Sequence, residues 1–499
     1  MLIAVLLSAC SGNSDEHISQ QILRVALNDN PTNLDPRTST DVASFRVIEL
    51  VYDFLVRMDS TGMPRPDLAE RIDTPSDREY IFTLRRGVTF HDGHPLTAYD
   101  VAYTFESILD TTLHSNMRIV LQNVRRITVL DSFRVKFELY LPEAPFLSHL
   151  QVGIVPRHAV ETGRVDLKAT PLGSGPFRFV RWSSDAFVEL ERNDRYWKGA
   201  PRLKKIIMKI LPEATTRVLA LQNGEIDILP SGVPETYLPE LEKDSRFKVV
   251  KRRGSNYVYL ALNYRSPYLA SLKVRKAIAH AIDVDAIIKN LLGGLHQRAN
   301  SLLSPGHWAY NPHLPVYEYD PERARRLLDE AGFPDPDGDG PGTRFSVVYK
   351  CTDKLASRQK AQVIQQYLRE VGIDVKVQSF EFGTFYDDIQ KGRFDLYSLS
   401  IVGIYEPAVY RHFFHSRSSR NRVAYHSPEV DRLIELAEHT LDVNKRREYY
   451  WRIQEIVQEE LPYISLWHET NVAVMDRRLK GFRMYPAGEW RSFAQVYFD

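Results

Sequence analysis

Between residues 80 and 109 the spacing of apolar positions changes period, and the changes mark out successive elements. Tyr80-Ile81-Phe82-Thr83-Leu84 is rich in aromatic and β-branched residues, the composition of a half-buried strand. Arg85-Arg86-Gly87 breaks that run, and Val88-Thr89-Phe90 resumes it. His91-Asp92-Gly93-His94-Pro95 gathers turn formers: Gly93 can take positive φ and Pro95 sets its own φ. Thr97 then opens a helix, with Asp100 three residues later as a shortened capping box. Val101, Phe105 and Ile108 follow at helical spacing and make one apolar stripe.

The same reading extends along the chain. Residues 22–27 form the first strand, and residues 45–55 a helix with Phe45, Ile48 and Tyr52 on one side. A helix starting near Pro212 buries Val218, Leu219 and Leu221, stops at Asn223-Gly224 and leads into an alternating strand at 226–228, an α/β unit. Residues 257–263 are a strand and 273–282 a helix; Asp283 caps a further helix that ends at Gly293-Gly294. Asp320-Pro321 starts another, with Pro at its first position. Residues 355–377 read helix, Gly372, strand. Helices at about 429–441 and 445–460 precede a strand at 463–467. The fold class is α/β, and neither an internal repeat nor a low-complexity core segment interrupts it.

At 499 residues the chain suggests roughly three domains at about 150 residues each. Lys plus Arg number 65 against 64 Asp plus Glu, so no net field would recruit nucleic acid or an anionic membrane. Twenty-six Tyr, 23 Phe and 6 Trp suit either stacking on small ligands or core filling. No apolar run is long enough to span a bilayer. Residues 1–7 are a short apolar segment followed by Ser8-Ala9-Cys10, and 11–21 a polar tether. No basic segment precedes the apolar run, as expected if the true start lies upstream. Only Cys10 and Cys351 exist, and Cys351 is expected to pack as a small hydrophobe.

Residues 85–106, of the form RxGVxFHDGxPLTAxDVxxxFE, closely resemble the signature of the family 5 extracellular solute-binding proteins, the dipeptide-, oligopeptide- and nickel-binding components of ABC importers. Asn33-Leu34-Asp35-Pro36, the segment from Pro64 to Glu70, Pro171-Leu172-Gly173-Ser174-Gly175-Pro176-Phe177, Glu191-Arg192-Asn193, Tyr196-Trp197 and Ala214-Thr215-Thr216-Arg217 are similar to further blocks of that family. Leu7-Ser8-Ala9-Cys10 resembles a lipobox, which implies lipid attachment at Cys10. The resemblance implies a two-lobed periplasmic-binding-protein-like fold with an extra domain inserted in the first lobe. Lobe I would take 22–56, 171–265 and 473–499, the inserted domain 57–170, and lobe II 266–472. The crossings, with Asn263, Pro267, Asn471 and Asp476, would form the hinge. It further implies a lipid-anchored, monomeric protein of the bacterial envelope that captures short peptides between its lobes for an ABC permease, without a cofactor. A nickel chelate, an oligosaccharide or another small metabolite is the alternative cargo.

Enzyme motifs fail on inspection. His468-Glu469-Thr470-Asn471-Val472 begins like H-E-x-x-H, but Val472 stands where the second imidazole must be. Gly173-Ser174-Gly175 lacks the G-x-S-x-G frame of a nucleophile elbow. An envelope enzyme or a chaperone-like protein is therefore the remoter alternative. His91, Asp92 and His94 read as turn residues rather than metal ligands. Asp335, Asp337 and Asp339 imitate the start of a calcium loop, but position twelve is Ser346, so a solvated loop is expected and a weak Ca²⁺ site is the alternative.

The resemblance puts ligand binding in residues 392–416. Glu406-Pro407 stands where peptide-binding relatives have Asp-Pro, whose carboxylate accepts the peptide α-ammonium in a charge-assisted hydrogen bond. The chain departs from that pattern at Ile401, in place of a tryptophan, and at Ile404, in place of an acidic residue. Glu406 is thus either the ammonium acceptor or a loop carboxylate facing water. Tyr405, Tyr410, Arg422, Tyr425 and Trp467 are the accompanying candidates, Arg422 for a ligand carboxylate or a structural ion pair.

Overall fold

The alternation of residues 257–262 has a plain physical consequence. Tyr257, Tyr259 and Ala261 enter one core while Val258, Leu260 and Leu262 enter another, so the strand is buried on both faces. The computed structural model describes residues 21–338, 340 and 342–499; Cys10 and Asp339 lie outside the described residues. The chain divides into two units. Unit 1 takes the described residues up to Asp59, then Pro64–Arg252 and Asn471–Asp499; unit 2 takes Ser60–Met63 and Arg253–Thr470.

Unit 1 contains a sheet in the order Ile228–Leu229, Ile22–Leu27, Lys205–Ile210, Phe187–Arg192, Phe177–Ser183. Ile22–Leu27 runs parallel to Lys205–Ile210, with Ile22 opposite Lys205 and Leu27 opposite Ile210. One core of unit 1 lies on this sheet and includes Val47, Leu50 and Phe493. A second core, built by residues 55–154, sits on an antiparallel sheet ordered Ala69–Ser76, Glu79–Leu84, Arg134–Leu139, Val124–Asp131. Helix Ala98–Leu109 closes it with Val101, Phe105 and Ile108, and its capping box forms as expected: the Thr97 N–H donates to Asp100 Oδ2 at 2.9 Å. Residues 55–154 thus share a core of their own, whereas Val155 and Leu167, inside the expected 57–170 domain, pack in the first core, and Ser60–Met63 belong to unit 2.

Unit 2 has strands Ile373–Phe380, Phe345–Thr352, Leu396–Ile401 and then residues 253–262, with 463–470 alongside. Phe345–Thr352 and Ile373–Phe380 pair in parallel across the helix Leu355–Arg369. Its two cores differ in chemistry. One is aliphatic and contains the buried free thiol of Cys351; the other is rich in tyrosine, with Tyr259 stacked on Tyr463 at 4.2 Å between ring centroids.

Several boundaries differ from the periodicity. The first helix is Val42–Val51, not 45–55, because the Asp41 carboxylate accepts from the Ser44 N–H at 2.7 Å and starts it earlier. Phe45, read as inward, is 39% exposed. The helix after Asp283 is one α turn, Val284–Ala286, followed by a π turn, Ile287–Leu291. The strands read at 257–263 and 463–467 run much further, as Phe247–Leu262 and Tyr463–Asp476. The chain changes unit within those two strands, at 252–253 and at 470–471. Asn263 and Pro267, expected at a crossing, lie inside unit 2, where Asn263 Nδ2 donates to Phe394 O at 2.6 Å and to Gly392 O at 3.2 Å. Asn471 stands at the 470–471 change of unit itself, its Nδ2 donating to Pro486 O at 2.8 Å, whereas Asp476 lies further inside unit 1. No helix among the described residues is long and apolar enough to cross a membrane.

Candidate functional site

In unit 1 residues from two of the resembling sequence blocks converge on one buried carboxylate. Asp53 accepts from Ser174 Oγ, Tyr196 OH and Trp197 Nε1, each at 3.0 Å. Burial, reinforced by the nearby Asp67, pushes the Asp53 carboxyl up to about 6. Asp67 itself is paired with Arg57 at 2.8 Å and with Lys198. Gly173 and Gly175 are required by close approach, since a Cβ on Gly173 would sit 2.1 Å from Val51 O and one on Gly175 2.7 Å from Leu50 O. Ser174 is therefore a fully engaged core hydroxyl rather than a nucleophile. A cavity of about 740 Å³ elsewhere in unit 1 is lined by Arg24, Arg246, Arg477 and Arg478 among others. Of these, Arg24, Arg246 and Arg478 are bound to Asp227, Asp244 and Asp476, which leaves it scaffold-like.

In unit 2 the strand Leu396–Ile401 ends opposite Tyr257 and releases the loop 402–406. Gly403 takes φ +70° with open space around it, and its N–H donates to Asn256 Oδ1 at 3.1 Å. Asn256 Nδ2 in turn donates to Glu469 Oε2 at 2.9 Å. Loop, strand and carboxylate are thus joined by one amide side chain. Val402 at the loop tip is 67% exposed. Around Glu469, the Trp467 ring stacks on His296, and Lys360 Nζ lies 5.7 Å from the same ring's centroid. Burial brings the Lys360 ammonium down to about 8, opposed by the Glu469 carboxylate. The Thr470 N–H donates to His296 Nδ1 at 3.2 Å. The arrangement offers a carboxylate, an ammonium and an apolar loop tip within one unit.

The structure distributes the sequence-selected residues unevenly. Glu406 is neither a solvated loop carboxylate nor an open acceptor: it forms an ion pair with Arg446, whose side chain is only 7% exposed. Arg446 Nε also donates to Ala437 O at 3.0 Å, and its guanidinium lies 5.3 Å from the Trp308 ring and 5.5 Å from that of Tyr450. Tyr405 contributes its backbone oxygen to His307 Nε2 at 2.9 Å, which fixes the base of the loop. Tyr410 and Tyr425, selected as ligand contacts, are each 1% exposed and belong to the tyrosine-rich core. The Tyr410 hydroxyl meets Ser301 Oγ at 3.1 Å, and that of Tyr425 donates to Glu460. Arg422 Nη2 donates to Tyr386 OH at 2.5 Å with its guanidinium 4.5 Å from that ring. Trp467 is 4% exposed, between Lys360 and His296.

Asn256 and Lys360 carry no local sequence signal, and Glu469 stands within the failed zinc motif. That motif lies on a strand, Tyr463–Asp476, not a helix, and burial holds His468 down to about 4. In the acidic loop, Asp337 Oδ2 accepts from the Gly342 N–H at 2.8 Å and Asp335 Oδ1 from the Asp337 N–H at 3.3 Å, ordinary turn bonds.

Comparison with known proteins matches residues 63–421 to the sequence profile of the bacterial extracellular solute-binding proteins, family 5 Middle. The chain is 29% identical to the oligopeptide-binding protein AppA of Bacillus subtilis (strain 168), covering 97% of this chain and 95% of that one. The structure of AppA from Bacillus subtilis in complex with a nonapeptide superposes with a TM-score of 0.77 at 28% identity, over 96% of this chain and 99% of that one. NikZ from Campylobacter jejuni in complex with Ni(L-His) gives a TM-score of 0.80 at 25% identity, over 96% and 99%. With a profile match over well beyond half the chain, this protein belongs to the family 5 bacterial extracellular solute-binding proteins.

Proposed function

We propose that the protein is the substrate-binding component of an ABC importer and that short peptides are its cargo. As a member of a solute-binding family it is not an enzyme. The observation that carries the peptide reading is the Gly403–Asn256–Glu469 relay beside the exposed Val402. Glu469, rather than Glu406, accepts the peptide α-ammonium. Lys360 supplies the opposite charge for a carboxylate, and Val402 an apolar contact for a side chain. Tyr405 supports the loop through His307 and Trp467 the ring beside Lys360, with Glu406 holding the loop through Arg446, while Arg422 stays engaged with Tyr386. Lipid at Cys10 tethers the monomer to the periplasmic side or outer surface of a bacterial membrane, within reach of a permease. Chain segments 252–253 and 470–471 are where domain movement would be absorbed. A metal chelate is the second reading, favoured by the likeness to the Ni(L-His) complex.

The test is a thermal-shift and calorimetric screen of untagged protein against di- to pentapeptides, Ni²⁺–histidine and sugars. A ligand at a hundred times its Kd stabilises the native state by about 2.7 kcal/mol. Glu469→Gln should weaken peptide binding about ten- to a hundredfold, the worth of one hydrogen bond to a charged group, about 1.5–3 kcal/mol. Stabilisation by sugars or the nickel chelate alone would reject the peptide reading, and unchanged affinity in Glu469→Gln would reject the role of Glu469.

A further inference from the structure

The turn and the short helix that flank the second core of unit 1 bring together three metal-ligating groups that the solute-binding role does not use. The turn is closed by its own backbone: the Phe90 N–H donates to His94 O at 2.8 Å and the Gly93 N–H to Phe90 O at 2.9 Å, with Gly93 at φ +93°. Asp92 and His94 thereby emerge on one side, where His94 Nδ1 lies 3.1 Å from Asp92 Oδ2. His91 turns away, its Nε2 3.1 Å from Gly175 O, and burial holds it down to about 4. Its place is taken by His158, on the helix Arg157–Val160, whose Nε2 lies 2.7 Å from the same Asp92 Oδ2. That helix is anchored independently, through the Arg157 N–H donating to Asp100 Oδ1 at 3.0 Å.

We propose that Asp92, His94 and His158 form a binding site for a divalent transition metal of the zinc type. One ligand atom from each residue lies within 4.8 Å of the other two. Tetrahedral bonds of about 2.0–2.1 Å place neighbouring ligand atoms about 3.3 Å apart. The two contacts at Asp92 Oδ2, 2.7 and 3.1 Å, would need to open by only a few tenths of an ångström to admit an ion. The imidazole rings are stacked with centroids 3.9 Å apart and an interplanar angle of 26°, so their nitrogens already converge on one carboxylate. Two imidazoles and one carboxylate suit Zn²⁺, Ni²⁺ or Cu²⁺ and not the all-oxygen preference of Mg²⁺ or Ca²⁺. Asp92 and His94 are exposed, which leaves the fourth position to water. The Arg195 guanidinium, on the Gly93 side of the turn, opposes a cation, so the three donors themselves must hold it. Bound metal would staple the turn to the helix 66 residues further on.

The experiment is isothermal calorimetry of full-length, untagged, chelator-treated protein with Zn²⁺ and, separately, Ni²⁺, at one fixed, mildly alkaline pH. The expected result is one strong site per chain, weakened at least about tenfold in His94→Ala and in Asp92→Asn. His94 is exposed, so His94→Ala should melt with the wild-type protein in the absence of metal. Glu469→Gln serves as the control that separates this site from a metal-chelate cargo, and it should bind the metal as the wild type does. Absence of a strong site in the wild type, or full retention in His94→Ala, would overturn the proposal, as would loss in Glu469→Gln alone.

Discussion

Glu406→Gln separates a ligand group from a structural one. The substitution keeps the side chain's size and removes the charge facing Arg446. The two side chains are 16% and 7% exposed, and breaking a buried ion pair by removing one partner costs about 3–5 kcal/mol. Glu406 keeps some water and glutamine still accepts a hydrogen bond, so the expected loss is smaller, about 2 kcal/mol. Arg446→Met removes more: the pair, the bond to Ala437 O and the stacking on Trp308 and Tyr450. It leaves the Glu406 carboxylate without its cation, and about 3–4 kcal/mol is expected. The readout is hydrogen exchange of the amides in the helix Val443–Glu460 together with urea denaturation, because two units need not unfold as one. Peptide affinity in Glu406→Gln should change less than about threefold, the effect of a slightly looser loop. A tenfold loss of peptide affinity with an unchanged denaturation midpoint would refute the structural assignment and restore Glu406 as the ammonium acceptor.

Two further outcomes follow from unit 1. The Asp53 carboxyl is raised to about 6, so the folded state holds its proton more tightly than the unfolded chain. The stability this proton contributes is present in full below about pH 4 and is lost as the pH rises through about 6. At about 1.4 kcal/mol per pH unit, the wild type should lose up to about 3 kcal/mol relative to Asp53→Asn over that window; parallel pH profiles would contradict it. Gly173→Ala forces a Cβ to within 2.1 Å of Val51 O, a backbone atom that cannot swing aside, and should destabilise unit 1 by about 3 kcal/mol or more. A melting temperature within about 2 °C of wild type would show that the backbone there relaxes.

Local elements were legible because their causes are local. The Thr97–Asp100 capping box, the Asp320 cap on Pro321–Glu330 and the Gly372 stop need only residues within about one helical turn, and all three occur in the structure. Boundaries slipped where a cap outside the apolar stripe decided them, as Asp41 did for Val42–Val51. The site was less legible. Nearness in sequence to Glu406 selected Tyr410 and Tyr425, yet their direction is set by core packing, and both are buried. Asn256 and Glu469 are 213 residues apart, and only strand pairing makes them neighbours.

By itself, the sequence determined the α/β class, most strands and helices, and the family, because periodicity, capping and motif order are written in consecutive residues. Tertiary structure alone decided the partners. Asp53 meets Ser174, Tyr196 and Trp197, Glu406 meets Arg446, and His158 replaces His91 beside Asp92. The physical reason is that a charge or imidazole takes its role from what lies within a few ångströms of it. In a folded chain those neighbours come from segments that no local pattern relates.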